Sequence, residues 1–332
     1  MANIQLAIAA DFLLAEKLLE ILEQSELAIE RISAVELESF GEEHSLRLGS
    51  KAVEQIPLEE VDWSQFSHVL FAGKMAQAEQ LAQAVQAGCT VLDLYGITAL
   101  IGNVPVIVPS INDEMIANVR ERNIVALANP QITQLALAIK PLLQQPIQHI
   151  FVSSLLPSAY FGDEKVRELA GQTAQLLNGI PLDDEKPRVA FDAVPANVQG
   201  DESKLPFSRA FELQLAKVLP NLTASVTFHS VQVPVFYGIS QMVSIQSDYP
   251  LNADELSQEW QQQSWVNFNQ ENVVTAVKNG EQSEENEENI LQISQLLSKN
   301  EHSLQFWSVA DEQRFSLAFL SVELLKGVLD YA

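Results

Sequence analysis

The feature that most constrains this chain is the alternation of short apolar runs with helical patterns through its first 130 residues. Leu6 to Ala9 reads as a buried strand. Phe12 to Ser25 follows as a helix, capped by Asp11, with Leu14, Leu18, Leu19 and Leu22 at helical spacing. Ile29 to Val35 and His68 to Gly73 read as further strands, then Met75 to Ala87 as a helix and Thr90 to Leu94 as a strand. Val104 to Pro109 adds a strand, Asp113 to Arg122 a helix, and Ile124 to Ala128 the last strand. Strand–helix–strand repetition of this kind specifies a doubly wound parallel sheet, a Rossmann-like domain.

The second half follows another pattern. Ile147 to Leu155 is β-like, and Asp163 to Leu177 and Phe207 to Leu219 are amphipathic helices. Ala224 to Phe236 alternates as a long strand, with Thr227, His229, Val231 and Val233 on one face. Met242 to Gln246 is expected to pair with it as a hairpin through Gly238. Asn252 to Gln262 reads as a helix, Glu281 to Asn289 as an acidic loop, and Gln313 to Tyr331 as a helix returning to the first domain. The expected architecture is therefore α/β: a Rossmann-like NAD(P)-binding-type domain of residues 1–128 plus 311–332, and an α+β domain of residues 129–310 with an antiparallel sheet.

Charge narrows the function. Asp plus Glu number 44 and Lys plus Arg 19, a net charge of −25. Such a chain repels phosphate backbones and anionic lipid, which argues against nucleic-acid and membrane partners. Cys89 is the only cysteine, so no intramolecular disulfide and no cysteine-cluster metal site can form. His44, His68, His149, His229 and His302 are scattered, and neither Asp183-Asp184-Glu185 nor Glu284-Glu285 with Glu287-Glu288 has the character of a cation site. No metal is expected. The absence of a basic leader or a long apolar run suggests a cytoplasmic protein.

Several landmarks resemble one enzyme family. They are Val91-Leu92-Asp93, Val106 to Asn112, Ala128-Asn129-Pro130, Ala170 to Gly179, and Val233-Pro234-Val235 with Gly238 and Ser240. Their order over nearly the whole chain resembles the aspartate-semialdehyde dehydrogenase family, and looks most like its divergent Usg-type branch. The resemblance implies an NADP-binding domain, a catalytic and dimerisation domain, and reductive dephosphorylation of an aspartyl phosphate through a cysteine nucleophile.

The functional positions implied by the resemblance have changed. The three glycines of the family's G-A-T-G-x-V-G loop fall at Ala9, Phe12 and Ala15, and its threonine at Asp11. Glycines there let a pyrophosphate approach the helix N-terminus; Phe12 fills that space and Asp11 supplies a competing carboxylate. Glu36 and Glu38 stand where an arginine would meet the 2′-phosphate of NADP. The nucleophilic cysteine falls at Ile132, the glutamine of S-T-Y-Q at Leu156, and the histidine of G-H-S at Ile239. The phosphate-clamping arginine falls at Ala99, the arginine of R-V-P-V at Gln232, and a cofactor-contacting asparagine at Leu320, with a following glutamine near Glu323. Cysteine, histidine, arginine, glutamine and asparagine have mostly become apolar, as if a cleft had been filled.

The expectation is a non-catalytic homologue without a cofactor, acting as a homodimeric interaction or scaffold protein, with a family relative as another possible partner. Two other readings stay open: an atypical dehydrogenase using relocated groups such as Thr133, Tyr95 or Glu212, and a protein that binds a small metabolite. Arg209, Glu212 and Lys217 are further charged candidates. Tyr95, Tyr160 and Phe161 could line a pocket or simply pack, and Cys89 reads as a small buried hydrophobe.

Overall fold

The computed structural model describes residues 4–41, 45–183, 186–196, 207–286 and 289–331. The chain divides into two compact units, one of Met1–Thr133, Leu213–Pro220 and Ser316–Ala332, the other of Gln134–Glu212 and Asn221–Phe315.

The first unit starts with β1 (Ile4–Ala10), α1 (Phe12–Gln24) and β2 (Ile29–Glu36). After a small antiparallel pair, β3 (Arg47–Leu48) and β4 (Lys51–Ala52), come β5 (Glu54–Pro57) and β6 (His68–Phe71). Then follow α2 (Ala78–Gln86), β7 (Thr90–Asp93), β8 (Val106–Ile107) and β9 (Ile124–Leu127). The main sheet runs β5-β2-β1-β6-β7-β9-β8, and every pair in it is parallel. Parallel strands are covered on both faces, which is why Leu6 to Ala10 and Val69 to Phe71 are wholly or almost wholly buried. α1 buries Leu14, Ala15, Leu18, Leu19, Ile21 and Leu22. The connection reverses direction beside β1, so the carboxyl end of β1 is the switch point where ligands of such sheets normally bind. Asp113–Glu121, expected as an α-helix, is a 3₁₀ segment, and the strand expected over Val104 to Pro109 is confined to β8.

α3 (Pro130–Ile139) leads out of this sheet, and the second unit continues with β10 (Ile147–Leu156), α4 (Asp163–Leu177) and β11 (Val194–Pro195). α5 (Phe207–Val218), β12 (Ser225–Gln232), β13 (Ile239–Ser247), α6 (Ala253–Gln261) and β14 (Val266–Asn269) follow. α7 (Ala276–Asn286), β15 (Leu291–Asn300) and β16 (Ser303–Ala310) complete it, while the end of α5 from Leu213 and α8 (Leu320–Tyr331) belong to the first unit. The sheet order is β11-β12-β10-β13-β16-β15-β14. Its core centres on Trp260, whose ring lies 5.1 Å from Phe306 and 5.3 Å from Phe268 and whose indole N–H donates to Ala138 O at 2.8 Å.

Five expectations need correction here. β12 and β13 do not form a hairpin; β10 lies between them, parallel to β12 and antiparallel to β13. The strand expected to reach Phe236 stops at Gln232 because Pro234 has no N–H for a ladder. Residues 233–236 instead cross the end of β10, through Val233 N to Leu156 O, Ser158 N to Val235 O and Ala159 N to Phe236 O. The sheet is thus mixed rather than antiparallel, with β14 and β15 also parallel. Most of the acidic stretch from Glu281 belongs to α7, which continues to Asn286, while Glu287 and Glu288 lie outside the described residues. The last helix begins as a π-helical stretch, Glu312–Phe319, before α8.

Candidate functional site

In the first unit the candidate nucleotide loop is occupied by the chain's own groups. Asp11 sits in extended backbone as the N-cap of α1, and its Oδ1 accepts from Leu14 N at 2.9 Å. The Tyr95 hydroxyl donates to Asp11 Oδ2 at 3.4 Å. A carboxylate at this helix end satisfies the free N–H groups and the positive end of the dipole that would otherwise draw a phosphate. Phe12 packs edge-on against Phe40 with ring centroids 5.5 Å apart. Ala9 and Ala15 are completely buried. Glu36 accepts from Phe40 N at 3.2 Å, and Glu38 forms an exposed ion pair with Lys74 at 3.9 Å.

The loop after β7 is built from buried polar contacts. Asp93 is wholly buried, and its Oδ2 accepts from Thr98 N at 2.7 Å and Thr98 Oγ1 at 2.6 Å. Burial pushes this carboxyl above the usual aspartate range, against the pull of those hydrogen bonds. Gly96 holds φ +66, a left-handed turn where a Cβ would stand 3.1 Å from Leu127 O. Ala99 follows at 0% exposure. The Lys217 ammonium donates to Ala99 O at 2.8 Å, Ile101 O at 2.5 Å and Val104 O at 3.0 Å. Burial holds its pKa below the ordinary lysine value. Three carbonyls use all three of its donors, so this cation ties down a loop rather than facing an anion. Arg209 and Glu212 pair with each other at 2.8 Å.

The position that the resemblance assigns to a nucleophile is equally closed. Ile132 is 0% exposed on α3. Its neighbour Thr133 is also buried and donates its hydroxyl to Ala128 O at 3.2 Å, a helix-entry bond rather than a contact with a general base. Asn129 Oδ1 accepts from Gln131 N at 3.0 Å, and Asn129 N donates to Gln214 Oε1 at 3.2 Å. Leu320, at the start of α8, is completely buried.

In the second unit, strand register gathers the remaining positions. Gln232 lies opposite Leu156, Leu155 opposite Ser240, and Ile239 opposite Ala310. A single cross-strand row therefore reads Gln232, Leu156, Ile239, Ala310, all at 2% exposure or less. The next inward row is polar and absent from the sequence reading. Ser154 lies opposite Gln241, and Gln241 opposite Ser308. Gln241 Nε2 donates to Ser154 Oγ at 3.1 Å, and Gln134 Nε2 donates to Ser308 Oγ at 2.9 Å. Also unforeseen is Glu312, almost fully buried, whose Oε2 accepts from Gly238 N at 2.8 Å. Gly238 holds φ +93, and a Cβ there would come within 2.9 Å of Ala276 Cβ, so only glycine fits. Tyr160 and Phe161 meet edge to face at 5.3 Å. The Tyr237 hydroxyl is pushed up by burial and by the charges of Asp163, Glu312 and Asp311.

The other face of this sheet is open. Thr227, Phe151, Ser244 and Gln305 form one cross-strand row, and His229, Ser153, Met242 and Trp307 the next. Phe151 and Met242 are 41% and 57% exposed. β10, β12, β13 and β16 contain no Asp, Glu, Lys or Arg, although the chain carries 63 such residues, 44 acidic plus 19 basic. Depletion of charge around exposed Phe and Met and a half-buried Trp is the composition of a covered interface.

Cys89 donates its thiol to Trp63 O at 3.1 Å and Phe66 O at 3.2 Å, and burial raises its pKa to about 11. Among the described residues no three His, Cys, Asp or Glu side chains are grouped to hold a metal ion. His44, Asp184 and Glu185 lie outside those residues. No helix among the described residues is long and apolar enough to cross a membrane.

Comparison with known proteins places these features in a lineage. Residues 139–315 match the model of the semialdehyde dehydrogenase dimerisation domain. A USG-1 protein homolog of Haemophilus influenzae is 45% identical over 328 residues, 98% of each chain. Aspartate-semialdehyde dehydrogenase 2 of Vibrio cholerae is 32% identical over 248 residues, 73% of each chain. The crystal structure of aspartate semialdehyde dehydrogenase II from Vibrio cholerae superposes with a TM-score of 0.89 over 99% of both chains, at 25% identity.

Proposed function

Because this chain belongs to the aspartate-semialdehyde dehydrogenase family, on its Usg-type side, we propose that it is a member without the family's catalysis, working as a homodimeric interaction or scaffold protein. The observation that carries this reading is the burial, as packed side chains, of the positions the resemblance assigns to the nucleophile, its glutamine and histidine partners and the phosphate-clamping arginine. Ile132, Leu156 and Ala99 are 0% exposed and Ile239 is 1% exposed. None offers a nucleophile, a base or a cation, and nucleophile and base act as one unit, so losing both removes the reaction rather than slowing it. The alternatives drawn from relocated groups gain no support: Thr133, Tyr95 and Glu212 are engaged with Ala128 O, Asp11 and Arg209.

The same reading excludes a dinucleotide. Asp11 satisfies the helix end where a pyrophosphate would sit, and Phe12 fills its approach. Dimerisation is supported by the open face of the second sheet, whose four central strands carry no formal charge and lie in the segment matching the dimerisation domain. A two-fold contact there is self-complementary, so one patch serves both copies.

The test pairs an assay with a binding measurement. Purified protein should reduce no NADP in the presence of aspartate semialdehyde and phosphate above the rate without protein. Calorimetry at millimolar NADP and NAD should show no saturable heat, and Phe12→Gly with Asp11→Thr should not restore it fully, because Leu320 also replaces a cofactor contact. Light scattering at low micromolar concentration should return about twice the 36.7 kDa chain mass. Turnover that scales with protein after removal of contaminants, or a micromolar dissociation constant for either dinucleotide, would overturn the reading of the site. A single-chain mass would overturn the dimer.

A further inference from the structure

We propose that association of two copies through the open face of the second sheet is controlled by protonation of His149 and His229, so that acidification separates the dimer. The inference rests on the homodimer reading above. It starts from the make-up of the face. Its four central strands hold no formal charge, and the only ionisable side chains in them are these two imidazoles.

Both side chains stand on the open face. His149 is exposed and stacks on Phe151, ring centroids 6.0 Å apart and 29° from parallel. Its cross-strand neighbours are Ser225 on β12 and Gln246 on β13. His229 is exposed opposite Ser153 on β10, with Thr227 and Val231 to either side on its own strand. On the edge beyond β12, β11 contributes Val194 and Pro195, again uncharged. Among the described residues, charged groups near these strands stand at the rim: Asp248, one residue past the end of β13, Lys299 near the end of β15, and the Glu301–His302 pair at the turn between β15 and β16.

A second copy on this face removes the imidazoles from water. Neutral rings tolerate that, since each can keep one hydrogen bond or pack on an aromatic neighbour. Imidazolium rings do not: no carboxylate within the four strands compensates them, and desolvation disfavours the charged form. Two-fold symmetry doubles the effect, placing four rings in one interface. The sign follows. Protons bind the separated chains better than the dimer, so association is strongest above the imidazole range and weakens as pH falls through it.

The general electrostatics of the chain run the other way. At a net charge of −25 the copies repel each other, and lowering the pH reduces that repulsion. Weakening on acidification therefore distinguishes the two histidines from bulk charge.

The experiment measures the dimer dissociation constant by sedimentation of fluorescently labelled full-length protein at pH 7.5 and pH 5.5 in fixed salt. The parent, His149→Gln, His229→Gln and the double variant are compared, with circular dichroism confirming the fold in each case. The parent should lose affinity by at least about 10-fold at pH 5.5, each single variant by less, and the double variant should hold or gain affinity. A parent dimer equally tight at both pH values, or a double variant that weakens as the parent does, overturns the proton linkage and leaves the dimer standing. A monomer at pH 7.5 overturns the homodimer itself.

Discussion

If the altered site positions are packed core, emptying them must cost stability, which is not what removal of an idle catalytic residue does. Truncating Ile132 to alanine deletes three carbons from a side chain with no exposure. At about 0.8 kcal/mol for each buried methylene, the transfer loss alone is about 2.4 kcal/mol, and an unrelaxed cavity raises the cost toward 3–4 kcal/mol. Ile132→Val should cost about 1 kcal/mol, giving a graded series. Leu156→Ala and Ile239→Ala should each fall in the same 2–4 kcal/mol range, because both sit in the inward row of the second sheet at 1% exposure or less. Urea unfolding followed by tryptophan fluorescence can assign the losses. Trp63 reports the first unit, which holds Ile132, and Trp260, Trp265 and Trp307 report the second, which holds Leu156 and Ile239. The expected result is a lower midpoint with an unchanged slope. Alanine variants that lose less than about 1 kcal/mol would show that these positions border empty or water-filled space, and the filled-site reasoning would fail.

Other consequences can be checked on the same protein. Because burial raises the Asp93 carboxyl above its unfolded value, its ionisation opposes folding above the unfolded pKa, and that penalty shrinks as pH falls. Asp93→Asn should therefore compare best with the parent near pH 8, its advantage narrowing toward pH 4 in thermal melts at matched salt. Lys217→Met should leave three carbonyls without their ammonium, destabilise by about 1–3 kcal/mol and speed amide exchange across residues 99–104; unchanged exchange would refute the tether. Cys89, with a pKa near 11, is about one thousandth thiolate at pH 8 and is also inaccessible, so a thiol reagent should label it only in denaturant.

Much of this was legible in one dimension. Period and punctuation identified the parallel sheet, since a strand buried on both faces must be apolar throughout and a helix buried on one must repeat every 3.6 residues. α4 came out with the expected bounds, and Asp11 as the cap of α1. The apolar identity of Ile132, Leu156 and Ile239, at positions the family resemblance assigns to reactive groups, also belongs to the sequence.

What the linear order could not decide was which strands are neighbours. β12 and β13 are consecutive and joined through a glycine, a pattern that favours a hairpin locally. β10, from far earlier in the chain, takes the place between them, its buried face of Ile150, Val152 and Leu156 joining the core under the sheet. Strand pairing is a competition among distant segments for burial, and a local turn signal does not report its outcome. The partners of Lys217 and Glu312 were hidden for the same reason, being the carbonyls of residues 99–104 and the backbone N–H of Gly238. Chemical identity at each position belongs to the sequence alone. Whether a charge ties down a loop, caps a helix or faces a ligand depends on what the folded chain places within about 3 Å of it.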